Sequence, residues 1–108
     1  RLWLAHAAHT QGRLILDDGA IRAITSGKRS LLAAGVVGVE GVFEAGDPVE
    51  LVSTNGVVSA RGLVAYSSEE LPARLGRTSE ALVAEFGHGH DREVVHRDDL
   101  VVVRKRPA

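Results

Sequence analysis

The chain has no cysteine and no methionine, and only four of its 108 residues are aromatic: Trp3, Phe43, Tyr66 and Phe86. Without cysteine there is no disulfide framework, no thiolate metal site and no thiol nucleophile, which fits a reducing compartment such as the cytoplasm. With so few rings, the core has to be built from β-branched and aliphatic side chains, and Val, Leu and Ala supply most of the 44% apolar share. No apolar run approaches the roughly 20 residues that a membrane span needs, so no membrane partner is expected. Thirteen Lys and Arg stand against 14 Asp and Glu, a formal net charge of −1. The positive excess of a dedicated nucleic-acid binder is therefore missing, and any such binding has to be local. The first residue is Arg1 with no signal-type segment after it, so the chain reads as a piece of something longer.

A length of 108 residues fits one domain. Arg1–Ala8 reads equally as a strand or a helix end. Gly12–Leu16 reads as a short strand. Asp17 is placed to cap a helix whose Ala20, Ile21 and Ile24 share one face, with Gly27 as its left-handed stop. Strands are expected at Val36–Val39 and Val49–Val52, then along Val57–Tyr66 after the hairpin signal Asn55-Gly56. Arg61-Gly62 lies inside that last arm and predicts a bulge or bend. Ser67 and Glu70 have capping-box spacing, although Pro72 shifts the helix start toward Glu70. Thr78 caps a second helix with an apolar stripe at Leu82, Val83 and Phe86. A closing strand pair is expected at Glu93–His96 and Leu100–Val103, and Arg104–Ala108 reads as a frayed, disordered tail. These elements predict a mostly β domain with short helices, a small pseudo-barrel of about six strands capped by two or three helices.

Three chemistries compete for the polar residues. His88, His90, Asp91 and His96 are metal-ligand types, but the glycines between them impose no rigid spacing and a solvated loop is the simpler reading; no metal site is assigned. The adjacent carboxylates Glu69-Glu70 and Asp98-Asp99 do not converge on one bond, because neighbours on a strand point to opposite faces. Phosphate-loop glycine motifs are absent from the sequence, and no catalytic residue is assigned. The stretch Lys28–Gly41, KRSLLAAGVVGVEG, is the informative one. Lys28, Arg29 and Ser30 succeed a helix C-terminus, where cations offset the dipole. Ala34 and Gly35 then leave the backbone bare, open to a phosphate. Arg61, Arg74 and Arg77 extend this basic patch if they share its side.

Three blocks carry a resemblance: KRSLLAAGVVGVEGVFEAGDPVELV, then ARGLVAYSSEEL, then VVHRDDLVV. In this order they resemble the C-terminal PUA domain of the bacterial glutamate 5-kinase family, from about Trp3 to Val103. The resemblance implies a PUA-like pseudo-barrel over residues 1–108. It implies a parent enzyme that phosphorylates glutamate with ATP and Mg²⁺, the first step of proline biosynthesis, through an N-terminal amino-acid-kinase domain. No kinase residue maps onto this chain, which is expected to need no cofactor and to be non-catalytic alone. Related PUA domains hold structured RNA on the turn between the first helix and the next strand, here Lys28–Gly35. The expected RNA-binding set is therefore Lys28, Arg29, Ser30, Ala34 and Gly35 of this turn, with Arg61, Arg74 and Arg77 added from the basic patch. The alternative implied role is regulation or assembly, by packing on the kinase domain or in a homo-oligomer. Pro72, His88 and His90 depart from the family pattern.

Overall fold

The computed structural model describes residues 11–89 and 92–103. The Arg1–Ala8 segment, the Arg104–Ala108 tail, His90 and Asp91 lie outside the described residues. Five strands form one mixed sheet: β1 (Gly12–Leu16), β2 (Val36–Gly41), β3 (Pro48–Ser53), β4 (Val58–Leu63) and β5 (Leu100–Val102). Their spatial order is β2-β1-β3-β4-β5, with β1 and β3 parallel and every other pair antiparallel. Two helices, α1 (Asp18–Thr25) and α2 (Ser79–Phe86), and three 3₁₀ turns complete a mostly β domain.

Side-chain alternation on these strands explains where the core sits. Leu14 and Leu16 of β1, Val49 and Leu51 of β3 and Ala60 of β4 are all fully buried. Ile24 of α1, Leu31, Phe43, Tyr66, Leu71 and Val94 close over them. The opposite face of the sheet is polar where the register sets charges side by side. Arg13 pairs with Glu40 on one neighbour and with Glu50 on the other, and Glu50 faces Arg61. The Arg13 guanidinium lies 3.7 Å from the Glu40 carboxylate and 3.4 Å from that of Glu50. Alternating signs across four strands make cross-strand neighbours attractive rather than repulsive.

Several expectations meet a different local solution. Both helices begin as anticipated: Asp17 Oδ1 accepts from the Ala20 N–H at 2.7 Å, and Thr78 Oγ1 accepts from the Ala81 N–H at 3.1 Å. The left-handed residue after α1 is Lys28, with φ of 52°, and not Gly27. Gly27 is instead needed for closeness, because a Cβ there would stand 2.9 Å from the Ala23 carbonyl oxygen. At the β3–β4 hairpin only Gly56 has positive φ, at 86°. The Gly56 N–H donates to the Ser53 carbonyl at 2.9 Å, so the turn is a regular one closed by a left-handed glycine rather than an inverse turn. The capping box forms, with the Ser67 N–H on Glu70 Oε1 at 2.9 Å and the Glu70 N–H on Ser67 Oγ at 3.2 Å. It opens a single 3₁₀ turn, Leu71–Ala73, which Pro72 fits as an early residue.

The irregularity expected at Arg61-Gly62 falls two residues earlier in the same arm: Leu51 and Val52 pair with Ala60 and Val58, which leaves Ser59 of β4 as the extra residue. Gly62 serves a close approach, since a Cβ there would come within 2.5 Å of Val95 Cγ1 and 3.1 Å of the Asp99 carbonyl oxygen. Glu93–His96 is no ladder strand. Leu31 and Val95 form one isolated antiparallel bridge. The Leu31 N–H donates to the Val95 carbonyl at 2.8 Å and the Val94 N–H to the Leu31 carbonyl at 2.7 Å. Because Leu31 leads toward β2 and Val95 toward β5, this bridge ties together the segments that enter the two edge strands.

This packing makes the glycines unequal. Gly62→Ala is expected to cost about 1–3 kcal/mol by overpacking. Gly38→Ala, whose Cβ meets nothing nearer than Ile15 Cδ1 at 3.4 Å, is expected to be nearly neutral by denaturant unfolding. At Glu70 the Ser67 backbone N–H, above all, holds the carboxyl below its ordinary 4.5, assisted by the Ser67 hydroxyl, Arg74 and Arg92 against a smaller opposing effect of burial. A carboxyl depressed in the folded state stabilises above its unfolded value and loses that contribution as pH falls. The stability gap between the parent chain and Glu70→Gln should therefore be open above about pH 4.5 and close below it; a gap unchanged between pH 6 and pH 3 would refute the capping assignment.

Candidate functional site

The closing bridge decides which cations share a surface. Downstream of it, the chain turns through a 3₁₀ turn at Arg97–Asp99 and enters β5. The Arg97 N–H donates to Ser30 Oγ at 2.8 Å, which pins this turn against the segment leaving α1. On the other side the Arg29 N–H reaches back to the Ala23 carbonyl at 3.0 Å and closes the end of α1. Lys28, Arg29 and Arg97 are thereby held side by side, all exposed.

Three neighbouring concavities meet at Arg29. The first, about 290 Å³, runs along α1 and is floored by Ala20, Ala23, Ala34 and Gly35, with Asp17 at one end and Arg29 and Ser30 at the other. The second lies between Arg29, Ser30, Leu32, Glu93, His96 and Arg97. The third, about 210 Å³, has Ile24, Leu100 and Val102 beneath Lys28, Arg29 and Arg97. At the second, His96 Nδ1 accepts from the Asp98 N–H at 3.1 Å, and the imidazole lies within 4 Å of the Glu93 and Asp98 carboxylates. Leu32 is 46% exposed at this rim, an apolar surface set between Arg29 and Arg97.

Of the residues expected at this turn, Arg29, Ser30, Ala34 and Gly35 line the first concavity and Lys28 lines the third, whereas the other three arginines go elsewhere. Arg61 stands in the charge ladder, opposite Glu50, on the sheet face away from α1. Arg74 is nearly buried, with its guanidinium 4.9 Å from the Tyr66 ring centre and 5.1 Å from that of Phe86. Its Nη1 donates to the Glu70 carbonyl at 2.8 Å. Arg77 also lies over the Phe86 ring, 5.9 Å from its centre, and pairs with Glu85, while Arg92 lies 5.0 Å from Tyr66. Guanidinium and ring alternate through Arg92, Tyr66, Arg74, Phe86 and Arg77, a stack that fastens α2 to the sheet. Arg97 is the residue that sequence reasoning missed. Its only signal was a base next to VVH, and its position depends on a bridge between residues 64 apart in the chain, Leu31 and Val95.

Among the described residues no three His, Cys, Asp or Glu side chains converge as a metal would require, and no helix is long and apolar enough to cross a membrane. Lys28, Arg29 and Arg97 give this open surface three cations beside the apolar side chains of Ile24, Leu100 and Val102.

A sequence model of the PUA domain family matches residues 12–86. The glutamate 5-kinase of Streptomyces coelicolor is 55% identical over 102 residues, a match covering 94% of this chain and 27% of that enzyme. The chain thus spans about a quarter of the length of such relatives. Among solved structures, a PUA domain from Aeropyrum pernix in a tartrate complex is 32% identical with a TM-score of 0.56, covering 81% of this chain and 43% of that one. An H/ACA RNP bound to a substrate RNA contains a chain 23% identical with a TM-score of 0.52, covering 56% of this chain and 19% of that one, a likeness of fold.

The stack and the rim make opposite demands on their arginines. Arg74→Lys should cost about 1–3 kcal/mol, because a lysine cannot stack on two rings while reaching the Glu70 carbonyl. Arg29→Ala, at an exposed site, should change stability by no more than about 0.5 kcal/mol. Thermal unfolding of the two variants checks the assignment; equal losses would remove the distinction.

Proposed function

The chain belongs to the PUA domain family, and we propose on that premise that it is the PUA module of a glutamate 5-kinase, holding structured RNA at the turn after α1. The observation that carries this reading is the convergence of Lys28, Arg29 and Arg97 on one exposed rim in a chain whose net charge is −1. Arg29 and Arg97 offer planar donor pairs that fit two oxygens of one phosphate, and Lys28 adds a mobile point charge. Ala34 is exposed beside this rim, but the bare backbone expected at Gly35 is taken: a Cβ there would stand 2.5 Å from Ala20 Cβ of α1, its N–H donates to the Leu32 carbonyl and its carbonyl accepts from the Asp17 N–H. A solved relative of the same fold sits in an RNP bound to a substrate RNA, which supports the reading by analogy of fold.

In the whole enzyme, phosphorylation of glutamate with ATP and Mg²⁺ belongs to the part that this chain does not span. No step of that reaction is assigned to this module. A cytoplasmic setting belongs to the same proposal.

A second reading is favoured by one specific feature. Val42 is 81% exposed and Val37 52% exposed, on and just beyond β2. Gly41 of that strand pairs with Gly12, where the chain enters β1. In this reading the β2 end packs on the kinase domain or a neighbouring subunit and the module tunes activity or assembly.

Phosphate contacts release counterions, so binding of an RNA hairpin should weaken steeply with salt. Arg29→Ala and Arg97→Ala are each expected to weaken binding and to reduce the slope of log K against log salt by about 1, whereas Arg61→Ala leaves both unchanged. Filter or fluorescence titrations between about 50 and 200 mM salt read this directly. Equal effects of all three substitutions, or no binding at the lowest salt, would sink the RNA reading and leave the assembly reading in place.

A further inference from the structure

We propose that the concavity between the end of α1 and β5 is a binding site for a phosphate carried beside a planar ring, the chemistry of a single nucleotide. The proposal deepens the RNA reading and rests on it only for the source of that nucleotide, which is either an RNA end or a free nucleoside phosphate.

The lining divides cleanly by chemistry. Ile24 from α1 with Leu100 and Val102 from β5 form an apolar floor, and Lys28, Arg29 and Arg97 form the rim. No carboxylate lines it, although acids outnumber bases in the chain by 14 to 13. The first and second concavities, by contrast, carry Asp17 and Glu93. An acid-free wall with three cations creates a local positive field that only an anion relieves. Val102 remains 36% exposed on this floor, so a ring laid there buries apolar surface already present. The volume of about 210 Å³ falls below the ~300–1,000 Å³ that encloses a whole drug-sized ligand. It takes a ring and leaves the phosphate on the rim, where the cations are.

Lys28 supplies an independent observation. It is the one non-glycine among the described residues with a left-handed backbone, at φ of 52°. That turn lets the Arg29 N–H close α1 on the Ala23 carbonyl, a role that glycine fills without strain. A lysine is poorly suited to such a backbone, and what it contributes in return is an ammonium on this rim. Local strain of this kind concentrates at binding sites.

The test is an NMR titration of the 108-residue chain with adenosine 5′-monophosphate, adenosine and inorganic phosphate, together with one RNA hairpin ending in a 5′-phosphate or a 5′-hydroxyl. The mononucleotide should move the signals of Ile24, Lys28, Arg29, Arg97 and Leu100, and bind at least about tenfold tighter than adenosine or phosphate alone. Arg97→Ala should abolish this. Lys28→Gly should raise Tm while weakening the mononucleotide; a lower Tm with unchanged affinity would make Lys28 merely structural and count against the site. If the mononucleotide binds and the phosphorylated hairpin is preferred, both readings stand. Mononucleotide binding with no hairpin binding keeps the site, names the free nucleotide as its source and ends the RNA reading. Hairpin binding that ignores the 5′ end, with no mononucleotide binding, keeps the RNA reading and overturns this site. Phosphate binding as tight as that of the mononucleotide overturns the ring slot, and silence from every probe ends both.

Discussion

The backbone exchange between Leu31 and Val94–Val95 is the constraint on which the rest of this domain depends. A five-stranded sheet has two edges, and here the segments leading into both are tied together across most of the chain. The Val94 carbonyl also accepts from the Ala65 N–H at 2.8 Å, so one residue links the start of β2, the end of β4 and the approach to β5. Each such bond contributes only about 0.5–1.5 kcal/mol net. The burial of Leu31, Val94 and Val95, all at 1% exposure or less, contributes about 1.5–3 kcal/mol per side chain. Apolar burial therefore drives the closure, and the hydrogen bonds fix its register. Gly62 is part of the same device, because only a residue without Cβ lets Val95 pack this closely against β4.

Closure also sorts eight of the described cations into three physically different groups. Arg13 and Arg61 sit in a cross-strand ladder with Glu40 and Glu50, where opposite signs alternate. Arg74, Arg77 and Arg92 lie against aromatic rings and hold α2 in place. Lys28, Arg29 and Arg97 stand exposed at one concavity without a carboxylate in its lining. A net charge of −1 describes none of these groups. Cations already facing carboxylates add little to the field felt by a ligand, whereas an acid-free cluster acts over about 8 Å at physiological salt.

How far the sequence can be read depends on how local each signal is. Asp17 and Thr78 are legible as caps because a cap is decided within four residues. The mostly β class is legible from the spacing of valine runs. Gly27 and Gly62 stand out in the sequence as positions that need glycine, but the reason for the need is not visible there. Both exclude a Cβ for lack of space, against Ala23 and Val95 respectively, and not for a left-handed turn or a bulge. The Glu93–His96 segment carries two β-branched valines fit for a strand, but both are buried and their backbone serves Leu31 and Ala65 instead of β5. Arg61, Arg74 and Arg77 are chemically identical to Arg29 in the sequence. Only the pleat of β4 and the rings of Tyr66 and Phe86 separate them, and neither is visible in spacing.

The position of the concavities along the seam has a physical reason. A continuous ladder leaves no room for a guest, because neighbouring strands lie about 4.8 Å apart with every backbone group paired. At the seam two 3₁₀ turns, Ala33–Gly35 and Arg97–Asp99, replace the ladder just before β2 and β5. Each turn shortens the chain path and leaves its flanking side chains facing outward around a gap. The gap is bounded by segments that meet through one bridge and one side-chain contact, Ser30 with Arg97. A ligand resting on Lys28, Arg29 and Arg97 touches both sides of that closure at once. By linkage, anything that binds only the closed form stabilises it, so occupancy of this rim and the integrity of the barrel are two expressions of a single contact between distant parts of the chain.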